Sequence, residues 1–413
     1  MKPEQVIAQS LPLPNGSILK NRLVKSAMSE ALGTTDNRMT ERLLTLYRAW
    51  AQGGTGLLIT GNVMVDRRHL GEPNNFALED ERDLPMMQQW AREGTAQGTQ
   101  LWMQLNHPGK QSPVQVNKQP VAPSAIPLDP RLKAFFNAPR ALAEAEIEDI
   151  VERFATSARI ARKAGFNGVQ IHAAHGYLVN QFLSPLHNQR KDRWGGSLEN
   201  RARFILEILR AARAHTSPDF SIAIKLNSAD FQRGGFSEDE SMAVAEMLVD
   251  AGIDLLEISG GTYEAPEMAG LNVKESTQKR EAYFLEYAEK IRERVKVPLM
   301  VTGGFRSLQG MADAISSNAT DLIGMARPLA VYPELSNELL SGNLPHVDIK
   351  RRMTGIRMID DLGMMETGWY SQQLQRLGAG KNTRPQEHAL LSFIRYMTCT
   401  AVRGFKTYRL RAN

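Results

Sequence analysis

His172 and His175 stand three residues apart, with Tyr177 two further on, where the short apolar run 168–171 stops. A buried strand that ends in clustered His, His and Tyr places polar chemistry at one end of a sheet. A close histidine pair is also a metal-ligand signature, although the glutamate of an H-E-x-x-H motif is lacking here. Two cations end other apolar runs, Lys225 within 221–226 and Arg327 just after 321–325. A lysine there serves either as a fixed charge beside a ligand or as the Schiff-base nucleophile of an aldolase-type lyase.

These groups need elements to position them. Eight short apolar runs occur at 22–28, 55–60, 101–105, 168–171, 221–226, 255–258, 298–302 and 321–325. Helical patterns separate most of them, at 40–52, 83–98, 144–164, from 198, 238–251, 281–294 and 308–317. In the strongest helix Ile147, Ile150, Val151, Phe154, Ala158 and Ile160 recur at helical spacing, and Thr40 is the expected N-cap of the first. Apolar strands alternating with helices predict an α/β fold with a parallel sheet, and eight units predict a (β/α)8 TIM barrel. A doubly wound open sheet is the alternative, but no G-x-G-x-x-G follows an early strand. Asn15-Gly16 predicts a β-hairpin ahead of the barrel, and the Pro-rich stretch 106–143 has the length of a functional lid.

In such barrels the chemistry sits at the C-terminal ends of the strands. Those ends read Met28-Ser29, Thr60-Gly61, Gln104 to Asn106, His172 to Tyr177, Lys225 to Asn227, Ser259-Gly260-Gly261, Thr302-Gly303-Gly304 and Met325-Ala326-Arg327. Gly303, Gly304, Ala326 and Arg327 lie where this fold usually holds a phosphate, which predicts a phosphorylated cofactor or substrate. The alternative is that the glycines only make turns and Arg327 pairs with a carboxylate.

Composition limits the remaining classes. The chain has 413 residues, a net charge of +5 and a single cysteine, Cys399, which excludes internal disulfides and a four-thiolate iron–sulfur cluster. No apolar run is long enough to span a bilayer and the N-terminus lacks a signal-peptide core, so a cytoplasmic protein is expected. Residues 350–413 hold twelve Lys and Arg against four Asp and Glu, a balance of +8 that leaves −3 for residues 1–349. The body has no basic stripe with interleaved aromatics, so no nucleic-acid partner is expected. The division read here is a barrel over 1–334 and a basic, mostly helical extension over 335–413, with helices at 353–365 and 369–377 and an apolar run at 390–402. The extension either packs on the barrel or on a neighbouring subunit of a homo-oligomer, or forms a basic amphipathic surface for a membrane or acidic partner.

The run H-A-A-H-G-Y-L-x-x-x-F-L-S-P from His172, followed from Asn188 by N-x-R-x-D-x-W-G-G-S-x-E-N-R, resembles the old yellow enzyme family of FMN-dependent ene-reductases. The resemblance extends over 11–333 and implies FMN as cofactor, NADH or NADPH as reductant, and hydride transfer to the β-carbon of an α,β-unsaturated carbonyl compound. It implies that His172 and His175 hold the carbonyl and that Tyr177 protonates the α-carbon. It also places Ser26, Ala27, Met28 and Ser29 under the flavin, Gly61 against its plane and Gln104 on its pyrimidine edge. Lys225 would lie beside N1 and O2, with Gly303, Gly304, Ala326 and Arg327 on the phosphate. Ala27, Ser29, Lys225 and Ala31 depart from residues common in the family, so redox tuning and pocket shape are its least transferable features. Larger relatives add an iron–sulfur cluster and a second dinucleotide domain; without the cysteines for the first, direct reduction in one shared pocket and ping-pong kinetics are expected. The choice among enones, quinones, nitro compounds and amino- or methyl-linked substrates stays open. In this resemblance 194–203 is scaffold.

Overall fold

The computed structural model describes all residues except 266–283, 348, 350–351, 357–359, 361–363 and 413. The apolar runs form eight parallel strands: β1 Leu23–Lys25, β2 Leu57–Ile59, β3 Gln100–Asn106, β4 Gly168–Ala173, β5 Ser221–Asn227, β6 Leu255–Ser259, β7 Leu299–Thr302 and β8 Leu322–Met325. Each pairs with its successor and β8 pairs back to β1, so the sheet closes into a barrel. Every residue of β3, β4 and β5 is buried, because one face looks into the barrel and the other lies under helices. The surrounding helices are α1 Glu41–Gln52, α2 Leu84–Gly94, α3 Glu144–Ala164, α4 Leu198–Ala214, α5 Glu238–Asp250, α6 Leu285–Arg292 and α7 Leu308–Ser316. In α3 the apolar spacing buries Ile147, Ile150, Phe154, Ala158 and Ile160, and Gly165 ends the helix at φ +94.

The two-residue period of a strand sorts the barrel interior into layers. Val24, Leu57, Ile59, Trp102, Ala223, Leu255, Met300 and Leu322 form one inner apolar cluster with Leu11, Leu13 and Leu19. The last three belong to the N-terminal hairpin, where Leu11–Pro12 pairs with Ile18–Leu19, so the hairpin closes the N-terminal end of the barrel. One pleat further along come Ser26, Gln104, Lys225, Glu257, Thr302 and Gly324, facing the same interior beside Gln170, the register partner of Gln104 and Ala223. The interior is thus apolar at one end and polar at the other.

Thr40 is the N-cap residue of α1 as expected, in extended backbone, although its hydroxyl donates to Leu32 O (2.6 Å) and makes no hydrogen bond to the helix N–H groups. Residues 353–356 of the helix expected over 353–365 are not helical, whereas Asp360 and the residues from Met364 are, and 357–359 and 361–363 lie outside the described residues. The helix expected over 281–294 is described from Leu285, and 281–283 lie outside the described residues. The Pro-rich stretch carries two short parallel strands, Val121–Ala122 and Arg140–Ala141.

The basic extension contributes α8 Met364–Gly378 and α9 Ala389–Ala412. Trp369, Tyr370, Leu374 and Leu377 of α8 are buried in the main core cluster, and Trp369 Nε1 donates to Glu387 O (3.1 Å). The extension therefore packs on the barrel, while Leu391, Ile394, Val402 and Phe405 of α9 stay exposed. No described helix is long and apolar enough to cross a membrane. Leu335 and Leu339 are also in the main core, and Thr55 Oγ1 meets Ser336 Oγ at 2.8 Å.

Candidate active site

The polar layer of the barrel is one connected network. Gln104 Nε2 donates to Gln170 Oε1 (2.7 Å), and Gln170 Nε2 donates to Glu257 Oε2 (2.6 Å). The other carboxylate oxygen of Glu257 accepts from Thr302 Oγ1 (2.7 Å) and faces Lys225 Nζ at 3.0 Å. Thr302 Oγ1 in turn lies 2.9 Å from Ser26 Oγ. Strands β1, β3, β4, β5, β6 and β7 are tied together by side chains that would each be costly to bury alone. Lys225 is thus paired with a buried carboxylate, and the Schiff-base reading finds no support.

His172 and His175 sit at the top of β4 with ring centroids 4.9 Å apart, edge to face, and the Tyr177 ring lies 4.8 Å from that of His172. Burial and then the Lys225 ammonium hold both imidazoles well below the ordinary histidine range, so both are neutral at pH 7. His172 Nδ1 accepts from the Ala174 N–H (3.3 Å), which leaves its proton on Nε2. His175 Nε2 is 2.6 Å from Ser259 Oγ. His175 takes the left-handed conformation (φ +62), fixed by its N–H to Asn227 Oδ1 (3.1 Å) and a bridge to Thr262. Gly176 follows at φ +76, where a Cβ would come within 2.5 Å of Gln111 Oε1, which explains the glycine between His175 and Tyr177. Burial pushes the Tyr177 phenol up to about 12, against hydrogen bonds from Tyr263 and Asn62 that pull it down.

The other expected positions surround this mouth. Ser26 continues β1 through its N–H to Met325 O (2.9 Å), Ala27 packs on the inner apolar cluster and Met28 on the main core, and Ser29 follows, partly buried. Gly61 ends β2 with its N–H on Tyr47 Oη (3.1 Å), and a Cβ there would strike Met28 O at 2.4 Å. Gly303 and Gly304 follow β7 at φ +94 and +93, and Ala326 leads into the short helix Arg327–Val331. Arg327 Nη1 meets Glu366 Oε2 of α8 at 3.1 Å, the carboxylate partner considered above. Trp194 and Arg201 are buried, Arg201 bonding Leu183 O and Glu240, and Ser197 caps α4.

Sequence reading missed Tyr263, whose hydroxyl is 2.8 Å from that of Tyr177. It also missed Glu72, whose carboxyl burial pushes up to about 7 and whose charge raises both phenols. Gln170 and Glu257 carried a signal, being polar residues at inward positions of otherwise apolar strands; Glu72 and Tyr263 lie on loops and carried none. A separate group, Asp66, His69 and His107, brings ligand-type atoms within 4.8 Å of one another. Asp66 there already binds Arg68 (2.7 Å) with Arg153 at 3.8 Å, the arrangement of an ion-pair cluster.

A closed eight-stranded barrel with its polar groups gathered at the strand C-terminal ends defines the class, a (β/α)8-barrel enzyme. The family model for the NADH:flavin oxidoreductase / NADH oxidase family matches residues 12–344, and the chain belongs to this family. It is accordingly a flavin oxidoreductase of old yellow enzyme type, with FMN as cofactor and NADH or NADPH as reductant. Among its relatives, the NADH-dependent flavin oxidoreductase iliE of Hypocrea jecorina is 38% identical over 355 residues, covering 80% of this chain and 88% of that one. The NADPH dehydrogenase of Clostridium acetobutylicum is 30% identical over 332 residues, covering 80% and 93%. The chain spans 46% of the length of a third relative, iliE of Neonectria sp., at 39% identity. Among solved structures, morphinone reductase in complex with tetrahydroNAD has a TM-score of 0.67 at 26% identity, covering 83% of this chain and 92% of that one.

Proposed function

We propose that this protein reduces the carbon–carbon double bond of α,β-unsaturated carbonyl compounds. The observation that carries the reading is the packing of a neutral imidazole, with its proton on Nε2, edge-on against a phenol that burial keeps protonated. FMN, when bound and reduced, supplies the hydride. The donor set at the mouth fits it: an amide at Gln104, an ammonium at Lys225, hydroxyls at Ser26 and Ser29, and successive left-handed glycines at Gly303 and Gly304. Ala27, Met28 and Gly61 would line the flavin's approach, and Ala326 and Arg327 would hold its phosphate, Arg327 giving up Glu366 for it.

In this reading His172 Nε2–H binds the substrate carbonyl oxygen and strengthens its hold as negative charge collects there. His175 gives the second donor: with the Ser259 hydroxyl donating its hydrogen bond to Nε2, the neutral ring carries its proton on Nδ1. Tyr177 Oη delivers the proton to the α-carbon; neutral at any physiological pH in the resting protein, it starts the reaction protonated. The test is anaerobic reduction with NADH and with NADPH, followed by reoxidation against a panel of enones, quinones and nitro compounds. Fast reoxidation by quinones with none by any enone would overturn the proposal.

A further inference from the structure

Tyr177 is 7% exposed, so once it has given up its proton little of it is open to bulk water from which to regain one. The hydroxyl 2.8 Å away belongs to Tyr263, which is 40% exposed. One phenol is buried and the other belongs to a partly exposed residue, its own proton held tightly by burial and by Tyr177, and the two are joined by a hydrogen bond that either oxygen can donate.

The loop that presents Tyr263 is built, segment by segment. Asn227 Nδ2 donates to Gly261 O (2.9 Å), and the Gly261 N–H donates to Ala229 O (3.0 Å). Thr262 bridges His175, and its hydroxyl accepts from the N–H groups of Glu264 and Ala265 (both 3.2 Å). Glu264 accepts from the Asp129 N–H (2.7 Å) and faces buried Lys110 at 3.9 Å and His187 at 3.7 Å. Contacts on both sides of Tyr263 thus fix its backbone while its ring packs 5.9 Å from that of Tyr177 and 6.1 Å from Phe136. Most of these anchors come from four different loops, which is more than a surface tyrosine needs.

We propose that Tyr263 is a proton relay that reloads Tyr177 from solvent after each turnover. The inference rests on the reading of Tyr177 as the acid. When the Tyr177 O–H bond has broken in favour of the substrate α-carbon, the Tyr263 O–H bond breaks and its proton forms a new O–H bond on Tyr177. The Tyr263 oxygen then takes a proton from hydronium or a buffer acid that reaches this partly exposed residue. No electrons move, and the proton gained by the product is the one consumed from solvent.

The relay makes a distinction that a structural role does not. In flavin-loaded Tyr263→Phe, Tyr177 starts out protonated, so a single anaerobic reoxidation by an enone should run at the wild-type rate. Steady-state turnover at saturating NADH and enone should fall about tenfold or more, and added imidazole buffer should restore it. Quinone turnover should be unchanged. Equal slowing of the single turnover and the steady state, or no slowing of either, would overturn the relay. Tyr177→Phe run in parallel separates the two readings. If it leaves the enone single turnover intact, the acid assignment fails and the relay with it. If it slows that step while Tyr263→Phe leaves steady-state turnover intact, only the relay fails.

Discussion

Lys225 Nζ and Glu257 Oε1 lie 3.0 Å apart on adjacent strands, at directly paired positions of β5 and β6, both buried inside the barrel. The carboxylate sets how much net positive charge the mouth offers to a reduced flavin. Replacing Glu257 by Gln keeps the shape and removes the counter-charge. The two-electron potential should rise by on the order of 30 mV, about 1.4 kcal/mol, read by anaerobic dye titration. An unchanged potential would show that Lys225 does not sense the ring.

Tyr177→Phe should slow enone reoxidation by about a hundredfold, within the range of general-acid catalysis. Quinones, which need no proton on carbon, should be spared. Stopped-flow absorbance of the flavin reports both. Equal loss with the two oxidants would remove the proton-donor role.

Arg327 meets Glu366 at 3.1 Å in a partly buried pair. If Arg327 exchanges that partner for a phosphate, Arg327→Ala should weaken FMN retention by about tenfold to a hundredfold, the worth of a charge-assisted hydrogen bond. Glu366→Gln should tighten it. Fluorescence quenching as FMN is titrated into apoprotein measures both, and a Glu366→Gln protein that loses FMN would contradict the exchange.

Ser259 Oγ stands 2.6 Å from His175 Nε2. Ser259→Ala removes the group that sets the imidazole tautomer, so kcat/KM for enones should fall about tenfold, near the value of one hydrogen bond. FMN content, measured by absorbance, should stay at the wild-type level. A fall confined to flavin content would place Ser259 in the fold alone.

Glu72 titrates near pH 7 because burial disfavours its charge, against an ordinary value of 4.5. The folded protein therefore holds a proton on Glu72 between about pH 4.5 and 7 that the unfolded chain has released. Its contribution to stability is complete below pH 4.5 and is lost as pH rises through about 7. Glu72→Gln should remove that part of the pH dependence, so the melting temperature of the variant relative to wild type should be higher at pH 8 than at pH 5 by roughly 2 °C, about 1 kcal/mol. Parallel melting curves at the two pH values would show that Glu72 ionises freely.

The barrel was legible because its signals are local: β3, β4 and β5 read as apolar runs since both of their faces are covered, and α3 read as a helix from the spacing of Ile147 to Ile160. The histidine pair and Tyr177 were legible for a different reason, lying within ten residues of one another at a strand end. Thr40 was legible as the N-cap position of α1, but that its hydroxyl donates to Leu32 O was not, because the loop that brings this carbonyl near is set by tertiary packing.

By itself, then, the sequence determined the eight-unit barrel, the cluster His172, His175 and Tyr177, and the family to which the chain belongs. Only the tertiary structure decided what those groups touch. Glu257 lies 32 residues from Lys225 in sequence, and Tyr263 lies 86 residues from Tyr177. Closing the sheet brings each pair together, because parallel pairing aligns the C-terminal ends of strands remote along the chain. The carboxylate beside the lysine and the second hydroxyl beside the phenol are products of that closure, and no spacing along the chain encodes them.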